Sequence, residues 1–340
     1  MSVTKVTSAE VARRAGVSQS AVSRVFTPGA SASKKTVEKV RKAAEELGYR
    51  PNVLARAMVS GRSRIIGLVV AYLENYFYPE ALEKLSNALQ EQGYHVLVFM
   101  AGQTADNVDE VIEEILDYQV DGIIAASVAL SSDLAQRCSA AGVPIVFFNR
   151  RQEGRDVSAV MSDNRAGGRS IAEFLVAGGH QKIGYIAGWE GASTQVEREA
   201  GFREGLAAHG VELYAREVGN YMLEEAKEAA RRMFAGPDIP DAVFVANDHM
   251  AFGVLDVLRG ELGLNVPGDV SVVGYDDVPP AAWGAYDMTT VRQRANQMVD
   301  ATVDILLRQI DQGQGGPEQI LIDAPLVVRS TARVPEGWKS

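Results

Sequence analysis

Two rhythms of apolar and polar positions divide the chain. From residue 6 to about residue 50, apolar residues recur at three- and four-residue spacing, which predicts short helices. From Ile65 onward the rhythm changes. Short branched runs, IIGLVVA (65–71), YHVLVFMA (94–101), DGIIAAS (121–127) and PIVFFN (144–149), are separated by helical stretches such as ALEKLSNALQEQG. A second series follows with IGYIAG (183–188), DAVFVAND (241–248) and VSVVGYDD (270–277). Strands that alternate with helices build parallel sheets covered on both faces. The expected class is therefore α/β: an all-α head on a two-lobed, doubly wound parallel body. Passages between the lobes are expected near residues 149–163 and 289–294. The late segment ILIDAPLVVRS is expected to return to the first lobe.

The head carries the most specific chemistry. In VTSAEVARRAGVSQSAVSRVF (6–26) a first helix opens at Thr7 with Glu10 three residues on, the reciprocal pairing of a capping box. Gly16 suits the left-handed cap that ends that helix, and Ser18 is placed to cap a second helix from Gln19 to Phe26. Val11 and Ala15 on the first helix, and Ala21, Val22 and Val25 on the second, form an inward face, and Val17 packs into the turn. Gln19, Ser20, Ser23 and Arg24 are left outward, and Thr7 is counted with them as a candidate DNA contact. Two helices about a tight turn, with short polar residues and an arginine on the second, suit the base edges and phosphates of a DNA major groove.

Charge sharpens this picture. The net charge is −10, but residues 1–64 hold 13 Lys and Arg against 4 Asp and Glu, a net of +9, leaving 21 against 40 in the remainder. A basic head neutralises phosphates, while an acidic body disfavours indiscriminate nucleic-acid binding. At 340 residues there is length for two or three cores. A single cysteine, Cys138, excludes a disulfide framework and a multi-cysteine metal site within the chain and reads as a buried apolar residue. His95 and His180, near strand starts, read as structural. No signal peptide or apolar run of transmembrane length is seen, so a cytoplasmic location and no membrane partner are expected.

Sheets of this kind bind ligands beyond the carboxyl ends of their strands. The first lobe there offers Asn75, Phe77 and Tyr78, then Asn149 and Arg150. The second offers Ser193, Thr194 and Arg198, then Asn247 and Asp248, then Asp276, with Tyr221 and Trp283 on nearby loops. An arginine, a carboxylate, amides and flat rings suit a polyhydroxylated ring. Asn247 can equally cap the helix after it, and Asp163 can simply fix a lobe passage. The chain has no GxSxG elbow, phosphate-cradling GxxxxGK[ST], GxGxxG or HExxH, so no enzyme, cofactor or metal is expected.

Taken in order, VTSAEVARRAGVSQSAVSRV, LGYRPNVLARAM, Asp163-Asn164, the ERxxGF of Glu197 to Phe202, Asn247-Asp248, the GYDD of Gly274 to Asp277 and the TTVRQ of Thr289 to Gln293 resemble the lactose/galactose-repressor (LacI) family of bacterial transcription regulators nearly end to end. The resemblance implies a periplasmic-binding-protein-like body. It places base reading on Gln19, Ser20 and Arg24, and effector contacts on Arg198, Asp276, Tyr221 and the Phe77-Tyr78 pair. It also implies that residues 51–63 form a hinge helix, marginal alone in water, which lies with its dimer mate in the minor groove. There Asn52 opens the helix, Ala55 allows close approach and Met58 stands where the family usually places a leucine wedge.

The boundaries expected are 1–50 for the helix-turn-helix domain, 51–63 for the hinge and 64–340 for an effector-binding and dimerisation domain. Within the last, lobe 1 covers about 64–160 and 293–328 and lobe 2 about 163–290. The function expected is a homodimeric repressor that binds a near-palindromic double-stranded operator and is released by a sugar or sugar derivative between the lobes. A nucleobase-like corepressor is the alternative, and a solute-binding protein without DNA function a more distant one.

Overall fold

A computed structural model describes residues 6–27, 30–50, 62–101, 105–128, 137–138, 140–151, 157–313 and 316–338 (backbone alone at 105–107). The hinge candidates Asn52, Ala55 and Met58 lie outside these residues. The chain divides into two compact units, Met1–Arg64 and Ile65–Ser340.

The first unit is built from α1 (Ser8–Ala15), α2 (Gln19–Phe26) and α3 (Lys34–Leu47). The Thr7 hydroxyl accepts from the Glu10 amide while the Glu10 carboxylate accepts from the Thr7 amide at 2.7 Å, so the capping box forms. Gly16 ends α1 at φ 66°, where a side chain would be strained. Ser18 caps α2 and Ser33 caps α3. Val11, Ala12, Val22, Val40, Ala43 and Ala44 make the core, with Val17 packed against it.

The second unit holds two parallel sheets. Six strands, β1 (Ile65–Val70), β2 (His95–Met100), β3 (Gly122–Ala126), β4 (Ile145–Phe148), β5 (Ser158–Ser162) and β11 (Gln319–Ile322), lie in the order β11-β5-β4-β3-β1-β2. Four more, β6 (Ile183–Ala187), β7 (Ala215–Val218), β8 (Ala242–Val245) and β9 (Ser271–Val273), lie in the order β7-β6-β8-β9. Most of the apolar runs become fully buried strands, as a sheet covered on both faces requires, whereas YHVLVFMA becomes the edge strand β2, with Val98 and Met100 exposed. Flanking helices include α4 (Phe77–Glu91), α5 (Ala105–Asp117), α6 (Asn164–Ala177), α7 (Ser193–Ala208), α8 (Leu223–Met233), α9 (Asp248–Asp256) and α10 (Ala295–Gln312). No helix among the described residues is long and apolar enough to cross a membrane.

Within the two parallel sheets, two strands have no counterpart in the sequence reading. In β5, SAVMS, small polar ends interrupt the apolar signal. In β7, AREV, an edge position keeps every residue only half-buried. The last run of the second series, VSVVGYDD, is also shorter than expected, since β9 stops at Val273 and Gly274 to Asp277 lie beyond it.

The chain passes between the lobes three times. The first passage is at Asp163, directly after β5. The second is at β10 (Thr290–Val291), and the third is at β12 (Leu326–Val327), which pairs antiparallel with β10. ILIDAPLVVRS therefore enters the first lobe only through β11. Its second half leaves again, and Thr331 bonds both ways with Val272 of β9. The passages are stitched together. The Asp163 amide donates to Ile322 O at 2.7 Å, the Arg292 amide to Pro325 O at 2.8 Å, and the Ser162 hydroxyl to Gln293 Oε1 at 2.8 Å.

Candidate functional site

The carboxyl ends of both sheets converge on one cleft. From the first lobe it is lined by Asn75, Tyr78 and Asn149, and from the second by Thr194, Arg198, Tyr221, Asn247 and Asp276. All eight were expected from sequence, seven of them beyond strand ends and Tyr221 on a nearby loop. Tyr72 and Ser127 also line it and were not expected. Both sit at the ends of strands already in view, so the strand-end rule applied to the next residue would have found them.

The remaining candidates lie elsewhere. Phe77 stacks on Phe148 and lines a separate cavity of about 380 Å³. The cations of that cavity are neutralised locally, Lys84 by Glu80, Arg292 by Asp277 and Arg294 by Asp323, so it offers a ligand little. The Ser193 hydroxyl accepts from the Arg151 amide at 3.1 Å across the lobes. Asp163 accepts from the Ala166 amide at 2.9 Å and caps α6. Trp283 is 53% exposed and does not line the cleft.

Arg198 and Asp276 form the floor, and both are buried. The Arg198 guanidinium lies 3.7 Å from the centroid of the Tyr275 ring. It donates to Asn164 Oδ1 at 2.9 Å, to Ala246 O at 2.5 Å and to Asp276 Oδ1 at 3.4 Å. Asp276 Oδ1 also accepts from Gln293 at 2.7 Å, and Oδ2 from Asn75 at 3.0 Å. Burial disfavours the charge on both. The Asp276 carboxylate and nearby tyrosines nonetheless hold Arg198 firmly protonated. Asp276 is raised by burial against the pull of Arg198 and its hydrogen bonds. Burial likewise raises Tyr72, Tyr78 and Tyr221, so their hydroxyls stay neutral and can donate and accept.

Close packing aims Arg198. A Cβ on Gly201 would stand 2.0 Å from the Arg165 carbonyl oxygen, and one on Gly168 would stand 2.2 Å from that of Arg198. These glycines let α6 and α7 touch along their backbones. Backbone strain also gathers here. Ser127, Asn149, Tyr221 and Asp276 all line the cleft, and all have positive φ, at 59°, 58°, 64° and 129°. Such outliers persist where surrounding structure over-determines them, which is typical of ligand clamps. Asn247 caps α9 through the Met250 amide at 2.9 Å and still lines the cleft. The space enclosed is about 10 Å³, roughly one water molecule, so the lobes are closed on one another.

In the head, Gln19, Ser20, Ser23 and Arg24 are exposed together on α2. Gln19 Nε2 donates to Ser8 Oγ at 2.9 Å, which orients its amide from α1. Thr7 is exposed too, but its hydroxyl is engaged by Glu10. Arg14 is paired with Glu46 at 2.6 Å, whereas no ion pair is found for Arg24 among the described residues.

A helix-turn-helix head joined to a two-lobed body with a polar cleft between the lobes defines a ligand-responsive DNA-binding regulator. Residues 7–52 match the bacterial regulatory proteins of the lacI family, and residues 172–332 match a periplasmic binding protein-like domain. The HTH-type transcriptional repressor PurR of Vibrio vulnificus is 30% identical over 328 residues, covering 95% of this chain and 98% of the relative. A transcriptional regulator CelR–cellobiose complex is 32% identical with a TM-score of 0.73, covering 96% of this chain and 100% of that one. The lac repressor dimer bound to operator and the anti-inducer ONPF is 29% identical with a TM-score of 0.86, covering 96% and 99%. The chain belongs to the lacI family of bacterial regulatory proteins and is a transcriptional regulator.

Proposed function

We propose that the protein is a cytoplasmic repressor that binds a near-palindromic operator as a homodimer and is released by a sugar-class effector. Gln19, Ser20, Ser23 and Arg24 read the half-sites. The hinge of residues 51–63 grips the centre, with Met58 as the apolar wedge. The effector sits among Asn75, Asn149, Arg198, Tyr221 and Asp276, and its arrival changes how the lobes stand to each other and so the spacing of the two hinges. DNA then weakens effector binding by the same factor by which effector weakens DNA binding.

The observation that carries this reading is the cleft lining. A buried guanidinium–carboxylate pair, three side-chain amides and three tyrosine hydroxyls converge there from both lobes. Such a set matches the paired hydroxyls and apolar ring face of a sugar. The likeness to a regulator seen with cellobiose, and to a repressor dimer seen on operator, supports the same assignment. A sugar is larger than the closed space, so binding proceeds through opening of the lobes.

A nucleobase-like corepressor is the second reading. It is favoured by the aromatic wall formed where Tyr72 meets Tyr78 edge to face at 5.3 Å. A thermal-shift screen against sugars, sugar acids, sugar phosphates and nucleobases separates the two, because a ligand of the folded state raises the melting temperature. A sugar that raises it, and that also releases the operator, carries the first reading. A nucleobase that raises it and tightens operator binding carries the second.

A further inference from the structure

Arg150 stands beside the cleft with no ion pair among the described residues. It follows Asn149 at the end of β4, is 4% exposed, and reaches the second lobe, where its guanidinium lies 5.2 Å from the centroid of the Trp189 ring. Its Nε and Nη1 atoms have no hydrogen-bond partner, and no carboxylate among the described residues pairs with it. The two neighbouring arginines differ. Arg151 pairs with Glu197 at 2.6 Å, and Arg198 has acceptors for all three of its nitrogens. The Arg150 charge is felt inside the cleft. It opposes the upward push of burial on Tyr72, Tyr78 and Tyr221, three of the lining residues.

A buried cation without a counter-charge is costly, and an aromatic face returns only a small part of that cost. Asp276 cannot supply the balance, since it already answers Arg198. We propose that the counter-charge arrives with the effector, which is an anionic sugar derivative, a sugar acid or a sugar phosphate, whose acidic group is taken by Arg150 over the Trp189 ring. This rests on the sugar reading above and narrows it. The guanidinium fork suits the planar pair of oxygens in a carboxylate and the oxygens of a phosphate alike.

The test is calorimetric titration of the full-length protein, wild type and Arg150→Gln, with three compounds on each ring. These are glucose, glucuronate and glucose 6-phosphate, with the galactose counterparts and a nucleobase set alongside. The expected result is that a charged member binds at least about tenfold tighter than its neutral parent, and that Arg150→Gln reduces this preference to about threefold or less. Whether the acid or the phosphate wins identifies the group. Neutral sugars that bind as tightly as their charged partners overturn the anionic effector and leave the sugar reading standing. Binding of nucleobases alone, or of nothing in the set, overturns both. A ligand-free measurement stands beside it. Arg150→Met keeps an apolar contact for Trp189 and removes the charge, so its melting temperature should rise above wild type. A fall would mean that Arg150 is a structural tie between the lobes, and the proposal would be lost.

Discussion

The side-chain amide of Asn75 donates to Oδ2 of Asp276 at 3.0 Å, a buried bond between the lobe of the six-stranded sheet and that of the four-stranded sheet. A ligand group that reaches Asp276 from the cleft meets a carboxylate that also ties the lobes together, so ligand contact and lobe closure share one side chain. Asn75→Ala should lower stability by about 1–3 kcal/mol, the cost of leaving a buried acceptor short of one donor. Urea denaturation checks this, and an unchanged midpoint would mean that the bond does not hold the lobes.

Arg198 does more than line the cleft. Its bonds to Asn164, Ala246 and Asp276 knit three loops together. Arg198→Ala should therefore abolish the effector response and also cost about 3–5 kcal/mol, because it strands a buried carboxylate. Arg198→Lys should rescue little, since one ammonium cannot serve three acceptors set in a plane. A fully stable Arg198→Ala protein would contradict this.

Gly201→Ala should destabilise by about 1–3 kcal/mol or more, because the added methyl meets the backbone oxygen of Arg165 rather than a side chain that can swing away. Effector affinity should fall with it, since Arg198 lies one turn earlier on the same helix. Gly260→Ala, with open space at its Cβ, is the control expected to leave melting and binding unchanged.

The buried Asp248 carboxyl, which accepts from the Thr290 hydroxyl at 2.6 Å, is pushed up from 3.8 to about 8 by burial and by Asp276. Between those values the folded chain binds the proton and the unfolded chain does not. The resulting stability is full below about pH 3.8 and is lost as pH rises through about 8. Melting temperature should thus fall between about pH 7.5 and pH 9, above the range in which His180 and His249, both lowered by burial, titrate in either the folded or the unfolded chain. Asp248→Asn should flatten that fall, and an equal slope in the variant would remove Asp248 as its source.

In the head, two exposed residues should behave differently. Arg24→Ala should weaken operator binding by about 1–3 kcal/mol and relax preference at one base position. Thr7→Ala removes the capping box and should cost the head about 1 kcal/mol of stability. Its base preference should stay unaltered, because the Thr7 hydroxyl is engaged by Glu10. Fluorescence anisotropy on operator variants, paired with thermal melts, distinguishes reading from capping.

The head was legible because its signals are local: Thr7 with Glu10, Gly16 and Ser18 act on their own turns, and each forms as expected. Most of the cleft was legible because strand ends follow from apolar runs. What escaped depends on distance. Ser127, which closes the run 121–127, was within reach of the strand-end rule, and only its positive φ of 59° is not written in the sequence. Phe77 was expected in the cleft with Tyr78 from the strand end and the family resemblance, but one step along a helix turns a side chain by about 100°, and it stacks on Phe148 instead. Half of ILIDAPLVVRS was misplaced because a two-residue strand such as β12 has no periodicity to read.

The three passages between the lobes, bonded edge to edge through Asp163, Arg292 and the β10–β12 pair, behave mechanically as one ribbon and not as three independent tethers. A ribbon resists sliding and splaying but yields to bending about a single axis. The motion such a ribbon favours is therefore a bend, and the side chains that line the cleft could change without altering the passages that would deliver it.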